Sequence, residues 1–425
     1  MSLVTRNRMA VVAAVILTVS GAATAADWPQ WRGPKRDGIS EEKGLLKQWP
    51  EKGPALLWQV DGAGGGYSTP SVVGERLYLM GSRGIEQEFV QARAVADGKE
   101  LWTVVIGKVG NPDQRPPYPG ARSTPTVDGE LLYALGSDGD LVCMEAATRK
   151  VRWKKNLRRD FGGAPGTWAY SESPLVDGDR VVVTPGGPDA AMVALNKADG
   201  EVVWKGKVPG GDKAGYASVI VAEAAGKRQY VQFMEKGVAG FDAGTGKFLW
   251  RYDATAKGSP ANIPTPVAQG DYVYSGTNMG GGGLAKLTAK NNGVMAEQVY
   301  FNKKLPVAIG GAVVIDGHLY GTTNSAMMCV ELVSGKEKWS ERGIGAASVL
   351  YADGRLYLHG ENGEVALVEP SPEGYREKGR FTPPGAPERG NSKAWAYPVV
   401  ANGRLYVREL GKVWCYDVRD ANAVN

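Results

Sequence analysis

Phe241–Trp250 reads FDAGTGKFLW: turn residues, then alternating residues, then a tryptophan. The figure recurs. ADGKELW ends at Trp102, ATRKVRW at Trp153, ADGEVVW at Trp204 and VSGKEKW at Trp339. Turns of this kind fix the register of the strand that follows, and so fix the face on which its tryptophan points.

Ser123–Trp153, STPTVDGELLYALGSDGDLVCMEAATRKVRW, shows the whole unit. Thr124–Val127 is a short strand, Asp128-Gly129 a hairpin turn, and Leu131–Leu135 a strand with alternating large apolar residues. Ser137–Asp140 turns, Leu141–Glu145 returns, and Val151–Lys155 is a fourth strand carrying Trp153. The same order starts near residues 68, 123, 172, 218, 264, 311, 348 and 397. Eight four-stranded units at this spacing predict an all-β chain, an eight-bladed β-propeller of antiparallel blades around a channel. The 59 Gly and 25 Pro suit its many turns.

The eighth unit ends without a fourth strand, while Ala55–Val60, carrying Trp58, precedes the first. The N-terminal strand is therefore expected to complete the last blade and latch the ring. Trp58, Trp102, Trp153, Trp204, Trp250 and Trp339 are expected to dock between blades. A Trp buries about 150–250 Å², an upper bound of roughly 4–6 kcal/mol each at about 25 cal/mol per Å². Blade five offers Tyr300 instead, and blade seven is irregular around Tyr375–Phe381, so these two interfaces are expected to be the weaker ones.

The beginning of the chain reads differently. Arg6 and Arg8 precede an apolar run, Met9–Val19, and Ala23-Thr24-Ala25 offers an A-x-A cut before Ala26. This predicts a signal peptide over 1–25, a lead-in over 26–54, one propeller over 55–420 and a tail over 421–425. No Cys stands at the cut for lipid attachment, and no later stretch is apolar enough to span a bilayer. A periplasmic or secreted monomer is expected. The formal charge is +5; removing residues 1–25 takes away two Arg and no acid, leaving 48 basic and 45 acidic residues, or +3. That balance points to neither nucleic acid nor membrane surface. The densest basic cluster, Lys154-Lys155 with Arg158-Arg159, reads as a solvated loop.

Phe241-Asp242 through Thr245-Gly246 to Trp250 closely resembles the motif A-x-D-x-x-T-G-x-x-x-W of the quinoprotein dehydrogenase-like β-propellers. The resemblance covers nearly all of the chain after residue 25 and implies eight blades. The lead-in DWPQWRGP, Asp27–Pro34, with Trp168–Gly187, is similar to exported bacterial propellers described as pyrroloquinoline-quinone (PQQ)-binding-like repeat proteins. The superfamily holds quinone-dependent alcohol and sugar dehydrogenases. It also holds non-enzymes, among them the propeller subunit of the outer-membrane protein assembly machinery.

In the enzymes the resemblance implies a Trp floor, a disulfide of adjacent Cys, a bound calcium and an Asp base. Here Cys143, Cys329 and Cys415 are apart, each at one place in the third strand where Ala92, Ala194 and Gly240 stand in other blades. They read as small core residues without disulfides. His318 and His359 occupy places defined by the repeat, and no metal or catalytic set is assigned. Gly280–Gly283 lacks the Lys-Ser/Thr of a phosphate loop and reads as a long hairpin turn in blade five.

The candidate site is the channel mouth where inter-blade loops meet the first strands, at Tyr67, Arg122, Trp168, Tyr170, Tyr216, Asn262, Lys393, Trp395 and Tyr397. Aromatics with Arg and Lys suit a small planar anionic ligand through stacking and charge-assisted hydrogen bonds. The other reading is a channel plug or a face for an envelope protein partner. A binding or scaffolding module is expected. The alternative is a dehydrogenase using PQQ with calcium.

Overall fold

The structure, a computed structural model, describes residues 26–422 apart from 119, 278 and 292; the expected signal peptide lies outside the described residues. Eight antiparallel meanders make eight sheets, as the repeat predicts. Blade one runs Ser71–Val73, Arg76–Arg83, Gln87–Ala94 and Glu100–Gly107, from the inner strand to the outer. Blade eight has Val399–Ala401, Arg404–Glu409 and Lys412–Asp417, and takes its outer strand from Ala55–Val60. That strand pairs antiparallel, Ala55 opposite Asp417 and Val60 opposite Val413, so the ring closes as the unpaired Trp58 strand requires.

The recurring turn and tryptophan act across blades. Trp58 Nε1 donates to Val95 O at 2.9 Å, Trp153 Nε1 to Lys197 O at 3.0 Å, and Trp339 Nε1 to Ser371 O at 2.7 Å, each in the following blade. The turn glycine of that next blade lies flat on the ring. A Cβ on Gly200 would sit 2.7 Å from the Trp153 ring, and one on Gly246 2.3 Å from Trp204, where φ is already +76° and +71°. Only glycine meets both demands. Opposite each indole on its own sheet stands a small residue: Ala92 faces Trp102, Cys143 faces Trp153, Gly240 faces Trp250 and Cys329 faces Trp339. The three cysteines are free and buried, as small core residues should be.

Blades five and seven fill the tryptophan's place by other means. In blade five the Tyr300 hydroxyl donates to Leu332 O of blade six at 2.7 Å, and Gly335 lies over its ring. In blade seven Gly379 stands at the tryptophan's register, opposite Leu367. The missing ring comes from the lead-in: Trp49, 4% exposed, fills the space, and a Cβ on Gly379 would meet its Cβ at 2.7 Å. Trp49 packs on Tyr357 at 5.9 Å between centroids, matching the 6.0 Å of Trp153 on Tyr133.

Two local readings are corrected. The basic cluster is no loop: Lys154 and Lys155 end the outer strand Val151–Asn156, and Arg158 and Arg159 lie in a one-turn helix, Leu157–Phe161, capped by the Asn156 side chain. Gly281–Gly283 begin the third strand Gly281–Lys290 rather than a hairpin turn. A Cβ on Gly282 would lie 2.3 Å from the Tyr274 hydroxyl, and one on Gly283 2.3 Å from that of Tyr252.

The lead-in closes the channel. Strand direction puts the inter-blade loops at one mouth and the turn after each inner strand at the other end. From that far end, Trp28 bridges to Val72 of blade one and Pro29 O accepts from Val127 N of blade two. Arg36 donates to Ser173 O and Pro174 O of blade three at 2.7 and 2.9 Å, and Arg32 to Ala312 O of blade six at 2.6 Å. Ile39–Ser40 then pairs parallel with Tyr351–Ala352, adding a fifth strand to blade seven. Burial drives the Arg36 guanidinium down to about 9, with the Glu172 charge partly opposing.

Candidate functional site

The plug leaves a blind cup at the opposite mouth, a cavity of about 470 Å³. Its floor is Trp31. The Trp31 indole donates to Thr265 Oγ1 at 3.0 Å and stands edge-on to Tyr397, centroids 4.6 Å apart. Beneath, the Arg32 guanidinium faces the Tyr397 ring at 5.7 Å, and the Tyr397 hydroxyl donates to Ile309 O at 3.1 Å.

One wall is a continuous aromatic arc from the loops entering blades one to four and blade eight. Tyr67 meets Trp395 at 5.0 Å, Trp395 meets Tyr118 at 5.0 Å, Tyr118 meets Trp168 at 6.3 Å, and Trp168 meets Tyr216 at 5.9 Å. Arg122 is braced within it, donating to Trp168 O at 2.6 Å and Tyr118 O at 3.0 Å. Its charge is desolvated, which lowers its pKa against the opposing pull of Glu88, and burial raises the Tyr67 and Tyr216 phenols. The facing wall is aliphatic, from Ile263, Pro264, Val307 and Ile309, with Met279, 58% exposed, on the rim. Exposed Lys393 and Asn391 stand above the aromatic side. Among the described residues Glu361 is the cup's one lining carboxylate, and its Oε1 accepts from Trp395 Nε1 at 2.9 Å.

Two buried carboxylates sit behind the cup. Glu88 accepts from Ser137 N at 2.8 Å and Ser137 Oγ at 2.6 Å, tying blade one to the loop of blade two; burial pushes it up to about 7. Glu172 accepts from Thr184 N and from Gln232 Nε2, and burial likewise pushes it up to about 7.

Seven of the nine positions expected at the mouth line this cavity: Tyr67, Arg122, Trp168, Tyr216, Lys393, Trp395 and Tyr397. Tyr170 and Asn262 do not. Tyr170 turns between blades two and three, its hydroxyl donating to Pro185 O at 2.9 Å and its ring under Arg158. Asn262 is a loop clamp, its amide donating to Met234 O and Glu235 O at 2.6 and 2.8 Å. Trp31, Tyr118 and Glu361 are additions. Tyr118 sits in the Pro-rich loop, and Glu361 in the turn between the second and third strands of blade seven; the same end of the second strand brings Thr277 of blade five, and the loop after it Asn324 of blade six, to the cup. His359 is buried in blade seven, its Nδ1 against Ala396 O at 2.8 Å, and His318 lies against Asp316 O; neither lines the cup. Among the described residues no three His, Cys, Asp or Glu side chains gather at a metal-binding spacing.

Residues 86–341 match the family model described as outer membrane protein assembly factor BamB, well over half of the chain. The chain belongs to this family of PQQ-like propellers. The curated relatives of this PQQ-like propeller include enzymes and an assembly factor. Tetrathionate hydrolase of Acidithiobacillus ferrooxidans is 24% identical over 52% of this chain and 47% of its own length. BamB of Burkholderia pseudomallei is 28% identical over 41% of this chain and 43% of its own. The quinone-linked 1-butanol dehydrogenase of Thauera butanivorans is 30% identical over 31% of this chain and 22% of its own. The chain thus spans about half or less of the length of the curated relatives it matches. The crystal structure of BamB from Moraxella catarrhalis shares the PQQ-like propeller fold at a TM-score of 0.60 and 15% identity, covering 85% of this chain and 97% of that one. No helix among the described residues is long and apolar enough to cross a membrane.

Proposed function

We infer that the chain is an exported binding module that captures a small planar anionic ligand in the cup. The observation that carries this reading is the closed floor: Trp31 turns a channel mouth into a blind aromatic pocket braced around Arg122. The volume and mixed lining are those of a small-molecule site. A flat ring would stack on Trp395 or Trp168, and its anionic group would meet Arg122 and Lys393. The blade-spanning indoles serve as docking wedges that hold the cup's loops in register.

The calcium-bridged quinone of the dehydrogenases does not fit this donor set. Among the described residues Glu361 is the single lining carboxylate, and the three cysteines lie in separate blades. The dehydrogenase alternative draws its support from quinone-dehydrogenase relatives matched over 22% or less of their own length. A protein partner at the same face is the second reading, favoured by the BamB family match across residues 86–341.

Titrating PQQ, as a planar anionic probe, against tryptophan fluorescence in calcium-free buffer tests the reading. Saturable quenching, weakened at least tenfold by Arg122→Ala with Lys393→Ala, is expected. No saturable binding up to millimolar probe would leave the partner reading. Calcium-dependent dye reduction with alcohols or sugars would restore the dehydrogenase.

A further inference from the structure

Glu42 is a carboxylate without a side-chain cation. It is 4% exposed, and no Lys or Arg among the described residues forms an ion pair with it. Its Oε1 accepts from Asn402 N at 2.6 Å and its Oε2 from Gly403 N at 3.0 Å, both in the hairpin turn of blade eight. The third donor is Ala26 N, 2.8 Å from Oε1. Ala26 is the residue that follows the A-x-A cut. Backbone amides already favour the charged form of such a buried carboxylate, and an opposite charge within hydrogen-bond reach adds an ion pair to those bonds.

We propose that the α-ammonium created at Ala26 by export processing is the cation of Glu42, and that this pair locks the plug into the closing blade. The proposal rests on the export reading. Hydrolysis between residues 25 and 26 by a signal peptidase consumes one water. The acyl side leaves as a carboxylate, and the Ala26 nitrogen becomes a free amine that protonates. An N–H already aimed at Glu42 thereby gains a full positive charge with no rearrangement.

Downstream residues are placed to hold the new terminus. Asp27 Oδ1 accepts from Gly74 N at 2.9 Å, and Trp28 pairs both ways with Val72. The pair would therefore join lead-in, blade one and blade eight at the ring's seam. Charged groups near this point include Glu41 and Lys43, which flank Glu42 in the chain, Asp27, and Arg419, which packs beside Gly403 and is paired with Asp417; the Tyr357 phenol also feels the Glu42 charge.

The test begins with the full chain exported from a bacterium. Intact mass should place the mature start at Ala26. The mature protein is then compared with Glu42→Gln and with a form carrying a Gly-Ser extension before Ala26. Acetylation of the α-amine near pH 7, followed by peptide mass spectrometry, should be at least tenfold slower in the unaltered protein than in Glu42→Gln, because a paired ammonium stays protonated. The free value for such an amine is about 7.7–8.0. The extension should lower Tm, with little further effect in the Glu42→Gln background. Cleavage elsewhere, or equal acetylation rates in the two proteins, overturns the proposal. If Glu42→Gln does not fold, an unchanged Tm in the extended form overturns it. A chain left uncleaved at any site removes the export reading as well.

Discussion

Trp31 and Tyr397 come from opposite ends of the chain and meet edge to face, ring centroids 4.6 Å apart and planes 70° from each other. The contact joins the plug to the loop that enters blade eight, so floor and wall of the cup are set by one packing. Trp31→Ala should lower stability by about 2 kcal/mol, below the 3–5 typical of a fully buried aromatic, because Trp31 is only partly buried. Probe binding should weaken at least tenfold. Differential scanning calorimetry alongside a fluorescence titration would separate the two effects.

Trp49 makes a sharper case. It stands in for the ring that Gly379 cannot supply. Trp49→Ala should destabilise by about 3–5 kcal/mol. Gly379→Ala should also destabilise, since its Cβ has no room beside Trp49 and φ is +146°. Because the two residues touch, the double variant should fall short of the sum of the singles. Urea unfolding of all four proteins gives the coupling directly.

Arg408 clasps the seam of the ring from inside. Its guanidinium donates to Ser68 O at 2.8 Å and Met80 O at 2.6 Å in blade one, to Ala63 O and Gly64 O in the segment before it, and to Leu410 O. Among the described residues no carboxylate forms an ion pair with it, and burial pulls its pKa down to about 9. Arg408→Met would leave these buried carbonyls without donors, a loss of about 3–5 kcal/mol. Hydrogen exchange should accelerate first in the pairing of Ala55–Val60 with Lys412–Asp417.

Stability should fall as pH rises from about 4.5 to about 7. Glu88 and Glu172 are buried and bind protons more tightly folded than unfolded, so the native state holds more protons across that window. The slope of unfolding free energy with pH is then negative. The penalty is absent below the unfolded value and complete above the folded one, on the order of 3 kcal/mol per group. Glu88→Gln with Glu172→Gln should flatten the Tm-versus-pH curve in this interval; an unchanged slope would refute the assignment.

The native protein should resist thiol reagents at pH 8. Burial raises Cys143 to about 11 and Cys415 to about 12, and raises Cys329 too. The thiolate is the reactive form, so three thiols should titrate only after unfolding, without prior reduction.

The blades were legible because their instructions are local. A turn glycine, a small residue on the third strand and an indole on the fourth lie within one repeat, and eight repeats imply a ring whose unpaired Trp58 strand must find the unfinished blade. Seven mouth residues followed from a shared offset before each inner strand. The same offset misplaced Tyr170 and Asn262, since it specifies a position along the loop and leaves the side chain's direction to neighbouring blades. The path of residues 26–54 was beyond reach: it is a single copy with no repeat to copy from, and its partners lie up to hundreds of residues away. Only the assembled ring could place Trp31 under the cup, Trp49 in blade seven and Ala26 against Glu42, because each fills a space that exists only once eight sheets have closed around it.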